Sequence, residues 1–388
     1  MLRRIEGRIP PVLPLIAVTA VNHFRTALLG LCLTSAWACA QAQLRIGQTV
    51  GVTGTVAATV QEAGLGAQLY IDSINAKGGV GGEKIELLTL DDKFDPKLTV
   101  SNAQELIENK GVLALFMTRG TPHTEALFPL LEKYSVPLLA PSTGAMSLHQ
   151  PVKKWVFNVR ATYQREAERA VLHLAATGLS RMAIIHVDDN FGLDGLAGTQ
   201  KGLEGAKLSP VAVAKFDRNK PDFSQIGPNI AKLEPQAVMI IGSGTAVVDA
   251  MKSLRDNGSS AQLLTLSNNA SSGFIKLLGN HASGVIVSQV LPQSPNYALV
   301  QEASSMAKTK NILDVSPAML EGFVSAKVLV EALRRAGPKP TRAKVQAALE
   351  SLKGLDLGGL SLSFSSTDHT GLDFADLAII TASGKFRR

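Results

Sequence analysis

The stretch INAKGGVGGEKIELLTLDDKFDPKLTVSNAQELIENKGVLAL (residues 74–115) decides the fold class of this chain. A helix is expected to end at the glycines of residues 78–82, since glycine accepts the left-handed backbone of a helix terminus. The apolar run KIELLTL then predicts a strand, residues 98–109 a helix, and VLALFM a second strand. Strands that alternate with helices in this way indicate a parallel sheet with helices on both faces.

The same alternation extends along the chain in both directions. Before it, QLRIGQTV predicts a strand, and apolar residues from Val60 to Ile74 recur at helical spacing. After WVFNVRATYQ the pattern restarts with a helix over 166–177 and the strands RMAIIHV, PVAVAKF, QAVMIIG and AQLLTLS. The run GVIVSQV then predicts a passage back to the first domain, followed by helices over 318–336 and 341–352 and a tail of turn-linked strands. The sequence therefore predicts two similar α/β halves with more than one crossover.

The first 42 residues form a predicted leader outside the mature fold. Arg25 precedes TALLGLCLTSAWACA, an apolar run too short to span a bilayer that ends in small residues. This order is typical of a cleavable secretory signal peptide, and we expect cleavage after Ala40 or Ala42. Because the chain ahead of this run is long for a leader, one hypothesis is that translation begins at Val21.

Composition excludes several classes of function. Both cysteines, Cys32 and Cys39, lie in the leader, so we expect no disulfide, thiol nucleophile or cysteine metal site in the mature chain. The formal charge of the whole chain is +7, and the leader, with four arginines against one glutamate, carries +3 of it, which leaves +4. The remaining basic residues form no run, which argues against a nucleic-acid partner. No later apolar stretch approaches the length of a membrane span.

Small polar residues and glycine follow the predicted strands. In open parallel sheets, ligands bind beyond the carboxyl ends of the strands. A single loop of this composition is ordinary turn chemistry, but six loops that converge predict a binding cleft. The loops concerned are residues 51–55, 118–121, 142–144, 188–192, 242–245 and 267–269.

Arg119 is the strongest single candidate for a ligand-binding residue in these loops. A guanidinium group pairs with a ligand carboxylate through two parallel hydrogen bonds. A solvated surface arginine or an interdomain salt bridge is an equally favoured interpretation from the sequence alone. Next to it, Thr121 is expected to cap a helix that has Pro122 at its first position, where free backbone N–H groups suit an anion.

The sequence carries no recognisable pattern for catalysis or for a cofactor. IGSGTAV follows a predicted strand, but Val247 stands where a dinucleotide-binding loop has its third glycine. A Gly-x-Ser-x-Gly nucleophile turn is missing, and the histidines show no helical pairing that would suit a metal. The carboxylates of Asp91–Asp92 and of Asp188–Asp189 are adjacent and point to opposite faces of a strand. We therefore expect no catalytic residue, no metal site and no cofactor.

Several stretches together resemble one known family. They are the Asn-Ala-x-Gly-Gly turn, the Asp-Asp after the second strand, the Asp-Pro before the next helix, VPLLAPSTGA, VDDNFGLDGLAG and EGFVSAKVLVEAL. In these the chain resembles the periplasmic leucine/isoleucine/valine-type binding proteins, the receptors of branched-chain amino acid ABC importers. The resemblance covers essentially the whole chain after the leader. It implies a type I periplasmic binding protein fold, in which two doubly wound parallel-sheet α/β lobes are joined by three crossovers and close on a ligand.

The resemblance also implies an organisation and a role. The first lobe would comprise residues 43–161 plus 291–365, and the second residues 162–290 plus 366–388. The protein would be a monomeric periplasmic receptor that delivers a small molecule to an inner-membrane ABC permease. One alternative is a ligand sensor of the same fold that feeds a signalling receptor. A less favoured alternative is an exported hydrolase, for which the sequence offers no nucleophile–base pair.

The resemblance finally implies where and what the protein binds. The loops after the third and fourth strands would hold a ligand carboxylate, and Phe191 would lie against the ligand. Amino-acid binders of the family usually carry an acidic residue after the strand that corresponds to AQLLTL, where it pairs with the ligand ammonium. This chain has Ser267, Asn268 and Asn269 there, and a buried ammonium without a carboxylate partner is costly.

Further departures concern family tyrosines, which are replaced here by Thr59, by Ser243–Gly244 and by Phe323. We therefore predict a ligand with a carboxylate or another polar head and no obligatory ammonium, such as a small organic or aromatic acid. The predicted ligand-binding residues are Thr118, Arg119, Gly120, Thr121, Ser142, Thr143, Gly144, Phe191, Ser243, Ser267, Asn268 and Phe323.

Overall fold

The computed structural model describes residue 7 and residues 43–388, and residues 43–388 belong to a single folded unit. The predicted leader, with its cleavage positions, the alternative start at Val21 and both cysteines, lies outside the described residues. Of the helices in residues 43–388, none combines the length and the hydrophobicity that a membrane span requires.

The first part of the chain builds a five-stranded parallel sheet. Its strands are β1 (Gln43–Val50), β2 (Lys84–Asp91), β3 (Ala114–Phe116), β4 (Leu138–Leu139) and β5 (Val156–Phe157). They lie in the order β2–β1–β3–β4–β5, with Gln43 opposite Lys84 and Val50 opposite Asp91. All but the edge strand β2 are largely buried, which explains their continuous apolar runs.

Three helices alternate with these strands, namely α1 (Ala57–Ala76), α2 (Pro96–Glu108) and α3 (Thr121–Tyr134). Asp95 is the N-cap of α2, because its carboxylate accepts a hydrogen bond from the backbone N–H of Lys97 at 2.8 Å. Pro96 stands at the first helical position, where its missing N–H costs nothing. The Asp-Pro pair in the sequence is therefore a helix start.

The second part of the chain repeats the alternation. Its parallel strands are β6 (Met182–Val187), β7 (Ala212–Phe216), β8 (Ala237–Ile241), β9 (Gln262–Thr265) and β10 (Ile286–Gln289). Its helices are α4 (Tyr163–Ala176), α5 (Asn190–Gly205), α6 (Ile226–Ala231), α7 (Thr245–Asp256) and α8 (Ser272–Leu278). The interpretation of GVIVSQV as a passage back is wrong, because β10 pairs with β9 and the chain returns only after it.

The carboxyl-terminal part completes both halves. It contains α9 (Ala298–Lys308), α10 (Pro317–Ala336), α11 (Arg342–Glu350), the hairpin β11 (Leu355–Asp356) and β12 (Ser361–Leu362), and finally β13 (Asp376–Ile380) and β14 (Phe386–Arg387). The last two strands run antiparallel and extend the second sheet to the order β14–β13–β10–β9–β8–β6–β7. Thr341 caps α11 by accepting a hydrogen bond from Lys344, while α9 is not predicted from the sequence.

The chain passes three times between a first half, built on the five-stranded sheet, and a second half, built on the seven-stranded sheet. We call residues 158–162 the first crossing, 290–297 the second and 363–375 the third. The first and third crossings are hydrogen-bonded, since Asn158 donates to His369 O at 2.9 Å and accepts from Gly371 at 2.8 Å. This is the predicted α/β architecture of two doubly wound sheets joined by three crossovers.

Two large hydrophobic clusters and one small one, around Val50, Val56 and Val60, form the core of residues 43–388. One large cluster fills the space between the first sheet and α1, α9, α10 and α11. The other begins under α2 and α3 on the opposite face of that sheet and continues without a break into the second half.

Candidate functional site

The loops after β3 and β4 lie side by side at the carboxyl edge of the first sheet. Arg119 and Ser142 form a parallel bridge, in which the Ser142 N–H donates to Thr118 O at 2.8 Å. The hydroxyl groups of Thr121 and Thr143 are hydrogen-bonded at 2.8 Å. The two strand ends that the sequence predicts to converge are thus in direct contact.

The start of α3 differs from the prediction. Gly120 is the N-cap and makes no side-chain cap, Thr121 is the first helical residue, and Pro122 is the second. The prediction that Thr121 caps this helix is wrong, because its hydroxyl is turned to Thr143 instead. The first turn of α3 therefore presents backbone N–H groups that no capping side chain occupies.

Arg119 is buried, with 4% of its surface exposed, and reaches from the first half to the second. Its guanidinium donates to the carbonyl oxygen of Asn268 and, at 3.3 Å, to the hydroxyl of Ser142. Within residues 43–388 no carboxylate lies at ion-pair distance from it. Burial lowers the pKa of Arg119 from its ordinary value, yet an arginine stays protonated in proteins. The cleft therefore holds a positive charge whose direct partners are neutral oxygens.

Behind Arg119, a second buried arginine lies at ion-pair distance from two glutamates. Arg160 donates to the Glu166 carboxylate, and its other terminal nitrogen lies 3.6 Å from Glu321. Glu166 also accepts hydrogen bonds from the Ser267 N–H at 3.0 Å and from the Ser288 hydroxyl at 2.5 Å. Burial by itself would lower the pKa of Arg160, but the carboxylates of Glu166 and Glu321 raise it above its ordinary value. Arg160 therefore balances one of the two carboxylates, and only Arg119 and Arg160 together balance Glu166 and Glu321.

The loops of the second half are linked to one another by asparagine side chains. The Asn268 amide donates to Gly242 O at 2.9 Å and to the Ser243 hydroxyl at 3.1 Å. The Asn269 carbonyl accepts from the Gly244 N–H at 2.9 Å. These bonds fix the loops after β8 and β9 as one rigid wall opposite Arg119.

Aromatic rings form the remaining walls. Tyr163 and Phe191 lie 4.8 Å apart between ring centroids. The ring of Phe94 stacks on that of His123, with centroids 4.2 Å apart. The guanidinium carbon of Arg218 lies 5.1 Å from the centroid of the Phe94 ring. Arg218 in turn pairs with Asp189, the N-cap of α5, at 2.5 Å. Because Phe94 belongs to the first half and Arg218 to the second, this cation–π contact bridges the halves.

A small cavity of about 10 Å³ lies where these groups meet, which is room for roughly one water molecule. It is lined by Phe94, Arg119, Gly120, Thr121, Ser142, Tyr163, Phe191, Arg218, Ser243 and Asn268. Contacts farther out also join the halves, since Glu62 accepts from the N–H groups of Ser272 and Gly273 at 3.0 and 2.7 Å. A ligand larger than water therefore requires the two halves or these side chains to separate.

Most of the residues predicted to bind ligand meet at this cavity. Seven line it directly: Arg119, Gly120, Thr121, Ser142, Phe191, Ser243 and Asn268. Four are buried in the same loops without lining it: Thr118, Thr143, Gly144 and Ser267. The structure does not bring Phe323 there, because its ring packs against Tyr70 in the core of the first half, with centroids 5.1 Å apart.

Six further residues of the site escape the sequence analysis: Phe94, Arg160, Tyr163, Glu166, Arg218 and Glu321. Phe94 reaches the cleft because the chain turns through positive φ at Lys93 and Phe94, which no sequence pattern announces. Arg160 lies in the first crossing and Glu166 in α4, and a separation of six residues gives no helical or strand pairing signal. The WVFNVRATYQ stretch that contains Arg160 is visible in the sequence only as the point where the pattern restarts.

We expect the fold to lose stability in acid because His123, which stacks on Phe94, is buried. Burial lowers the pKa of His123 from 6.5 to about 4. The neutral ring is favoured in the folded protein, so its stabilising effect is complete above pH 6.5 and is lost as the pH falls from 6.5 towards 4. We expect about 2 kcal/mol less stability at pH 5 than at pH 7.5 from this group. Urea unfolding at both pH values measures it.

The matched variants for this prediction are His123→Leu and His173→Leu. His173 is exposed on α4, so its replacement should leave the difference between the two pH values unchanged. His123→Leu should reduce that difference by about 2 kcal/mol. An equal pH dependence in His123→Leu and the original chain would refute the assignment.

Comparison with known proteins shows which family and which solved structures this chain is similar to. The family described as "Periplasmic binding protein" matches residues 43–385. The Leu/Ile/Val-binding protein homolog 3 of Brucella melitensis is 25% identical over 337 residues, which cover 84% of this chain and 89% of that protein. A substrate-binding periplasmic protein from Ralstonia solanacearum has a solved structure with a TM-score of 0.82 and 29% identity, covering 89% of this chain and 99% of that one. A possible leucine/isoleucine/valine-binding protein from Rhodopirellula baltica gives a TM-score of 0.84 at 25% identity, covering 91% and 98%.

Two α/β halves that meet around a polar cleft define a bilobal binding protein of type I. The chain belongs to the periplasmic binding protein family. This family consists of binding proteins without enzymatic activity, which sets aside the exported hydrolase. Residues 43–388 also contain no group of three metal-ligating side chains that would hold an ion.

Proposed function

We propose that this protein is the periplasmic solute receptor of a branched-chain-amino-acid-type ABC importer, and that it binds a small carboxylate-bearing ligand between two closing lobes. The lobes would be residues 43–161 plus 291–365 and residues 162–290 plus 366–388. The ligand would lie between the loops after β3 and β4 on one side and those after β8 and β9 on the other. Its partner would be an inner-membrane permease.

The observation that supports this ligand class is the difference between the partners of three arginines near the cleft. Arg160 is paired with Glu166 and Glu321, and Arg218 is paired with Asp189. Arg119 has only neutral oxygens as direct partners. A ligand carboxylate supplies the anion that a desolvated guanidinium requires, and the pair gains strength from exclusion of water.

The same pairing disfavours a ligand ammonium. The glutamate nearest the cleft surface, Glu321, already lies within ion-pair distance of Arg160 and accepts from Ser142 at 3.3 Å. Opposite it, Asn268 and Ser243 offer neutral groups. An ammonium enclosed here would sit near Arg119 without a free carboxylate, which is costly in a buried site. We therefore favour an organic acid over an amino acid, although the relatives named above are called Leu/Ile/Val-binding proteins.

The aromatic residues that line the cavity favour a flat apolar group in the rest of the ligand. Phe94, Tyr163 and Phe191 present ring surfaces to the cavity. Ring faces of this kind bind flat apolar groups and gain further from aromatic partners in offset or edge contacts. A phenyl-bearing acid such as 3-phenylpropanoate combines this contact with a carboxylate for Arg119.

A thermal-shift panel of matched pairs tests the proposal. Leucine and 4-methylpentanoate differ only by the ammonium group, as do phenylalanine and 3-phenylpropanoate. We expect the acids to raise the midpoint of unfolding and the amino acids to leave it unchanged. A ligand at 100 times its dissociation constant adds about 2.7 kcal/mol of stability. Stabilisation by leucine or phenylalanine alone would contradict the ligand class while leaving the receptor role intact.

A glycine at the contact between the halves tests lobe closure. A Cβ on Gly244 would lie 1.8 Å from the carbonyl oxygen of Thr55 in the first half, where the Thr245 N–H also bonds at 3.2 Å. Gly244→Ala is therefore expected to hold the halves apart and to weaken ligand binding about tenfold or more, since closure completes the site. Titration calorimetry with 3-phenylpropanoate measures this effect.

Gly258→Ala is the matched control, because Gly258 also has a positive φ, 81° against 57° for Gly244, but nothing lies within 4 Å of its Cβ position. Both variants should lose about 1–2 kcal/mol of stability through backbone strain. Only Gly244→Ala should lose affinity. Equal affinities in the two variants would refute closure at this contact.

A further inference from the structure

A second pocket, separate from the cleft, lies where the second crossing passes over the end of the second sheet. Its volume is about 270 Å³, close to the lower limit for small-molecule sites. Residues of β10, of the crossing and of the carboxyl-terminal strands line it, among them Gln289, Leu291, Gln293, Tyr297, Phe374 and Phe386. It shares no lining residue with the cavity around Arg119.

Two side-chain amides of this pocket have atoms without a hydrogen-bond partner in the described part of the chain. Gln289 is the last residue of β10 and is 3% exposed; its Nε2 donates to Val287 O at 3.2 Å, but its Oε1 accepts from nothing. On the crossing, Gln293 has a buried Nε2 that donates to nothing. An unsatisfied buried polar group costs about 1–3 kcal/mol. Both side chains line the pocket, so rotation of each amide would turn an unpaired acceptor and an unpaired donor towards a ligand.

The one carboxylate that lines the pocket is paired, and its two arginines are exposed to solvent. Asp376 stands opposite Gln289 across the antiparallel pair of β10 and β13, and it pairs with Arg388 at 2.8 Å. Arg387 lines the rim and is exposed to solvent. An interior that presents amide groups and rings, with its carboxylate already paired, suits a neutral ligand better than an ion.

We propose that this pocket binds a neutral, planar small molecule that carries an amide edge, such as a primary amide or a lactam on an aromatic ring. The ligand N–H would donate to Gln289 Oε1, and its carbonyl would accept from Gln293 Nε2. Its ring would pack among Tyr297, Phe374 and Phe386. The ligand would thereby join the second crossing to the second sheet. The proposal is independent of the carboxylate site at Arg119.

Benzamide is a suitable probe, and acetophenone is its matched isostere that keeps the carbonyl but lacks the N–H donor. Both would be titrated into the full protein and followed by ligand-observed NMR. We expect saturable benzamide binding and acetophenone binding that is about tenfold weaker or more. Gln289→Met keeps the length of the side chain and removes the acceptor. It should weaken benzamide about tenfold to a hundredfold and abolish the preference over acetophenone.

Three further variants keep the test decisive. Gln68→Met makes the same change at an exposed position on α1, and Arg119→Met alters only the cleft; both should leave benzamide affinity unchanged. Phe386→Ala removes a wall near the chain end and should weaken both probes alike, even if Gln289→Met fails to fold. Benzamide binding that is unaffected by Gln289→Met and Phe386→Ala, or lost in Arg119→Met, would overturn the proposal, as would the lack of saturable binding.

Discussion

Replacement of Arg119 by methionine is expected to weaken binding of a carboxylate ligand about a hundredfold or more. The guanidinium is buried and has no carboxylate partner among residues 43–388, so a bound acid would rely on it for charge compensation. Removal of one partner from a buried charge pair costs about 2–5 kcal/mol. Titration calorimetry with 3-phenylpropanoate measures the loss directly.

The same variant should not lose stability in the absence of ligand. Burial of a charge that has no carboxylate at ion-pair distance is unfavourable, so an apolar side chain of similar length is expected to be neutral or stabilising there. Arg45→Met is the matched control, because Arg45 lies half exposed on β1 and pairs with Glu86 at 3.3 Å. A loss of affinity in Arg45→Met, or full affinity in Arg119→Met, would contradict the role of Arg119.

Replacement of Arg160 by methionine is expected to destabilise the fold by about 3–5 kcal/mol, the cost of breaking a buried ion pair by removal of one partner. Glu166 is 0% exposed and would keep two hydrogen bonds, from Ser267 and Ser288, but no cation. Denaturant unfolding at neutral pH measures this difference in free energy.

The double variant Arg160→Met/Glu166→Gln should recover much of that loss, because neither charge then remains buried and unpaired. Arg165→Met is the control three residues into the next helix, where Arg165 is 47% exposed and pairs with Asp373 at 3.4 Å. Exposed pairs contribute about 0–1 kcal/mol. If Arg160→Met proved no more destabilising than Arg165→Met, the buried network would not hold the first crossing in the way described.

The alternation of strands and helices was accessible from the sequence because hydrophobic periodicity survives into the fold. The predicted strand QLRIGQTV coincides with β1, and Thr341 caps α11 as predicted. Helix α9 was missed because its start at Tyr297 has no side-chain cap to announce it. The antiparallel addition of β13 beside β10 depends on tertiary pairing that local pattern does not encode.

The candidate site was accessible only in part. Loops at strand ends converge for topological reasons, so Arg119, Ser142 and Asn268 could be placed together from the sequence. The position of Phe323 could not be predicted in this way. Phe323 lies two residues, and about 200° around the helix, from Glu321, the residue of α10 that contacts Ser142. The pairing of Arg160 with Glu166 and Glu321 joins three separate elements, which no local sequence pattern encodes.

The central claim is that the cleft selects a carboxylate without an ammonium. Its most direct test is the ratio of the dissociation constants of phenylalanine and 3-phenylpropanoate, measured by titration calorimetry on the same preparation. We expect the acid to bind at least about tenfold more tightly, because the ammonium finds no free carboxylate beside Arg119. Tighter binding of phenylalanine than of 3-phenylpropanoate would contradict it.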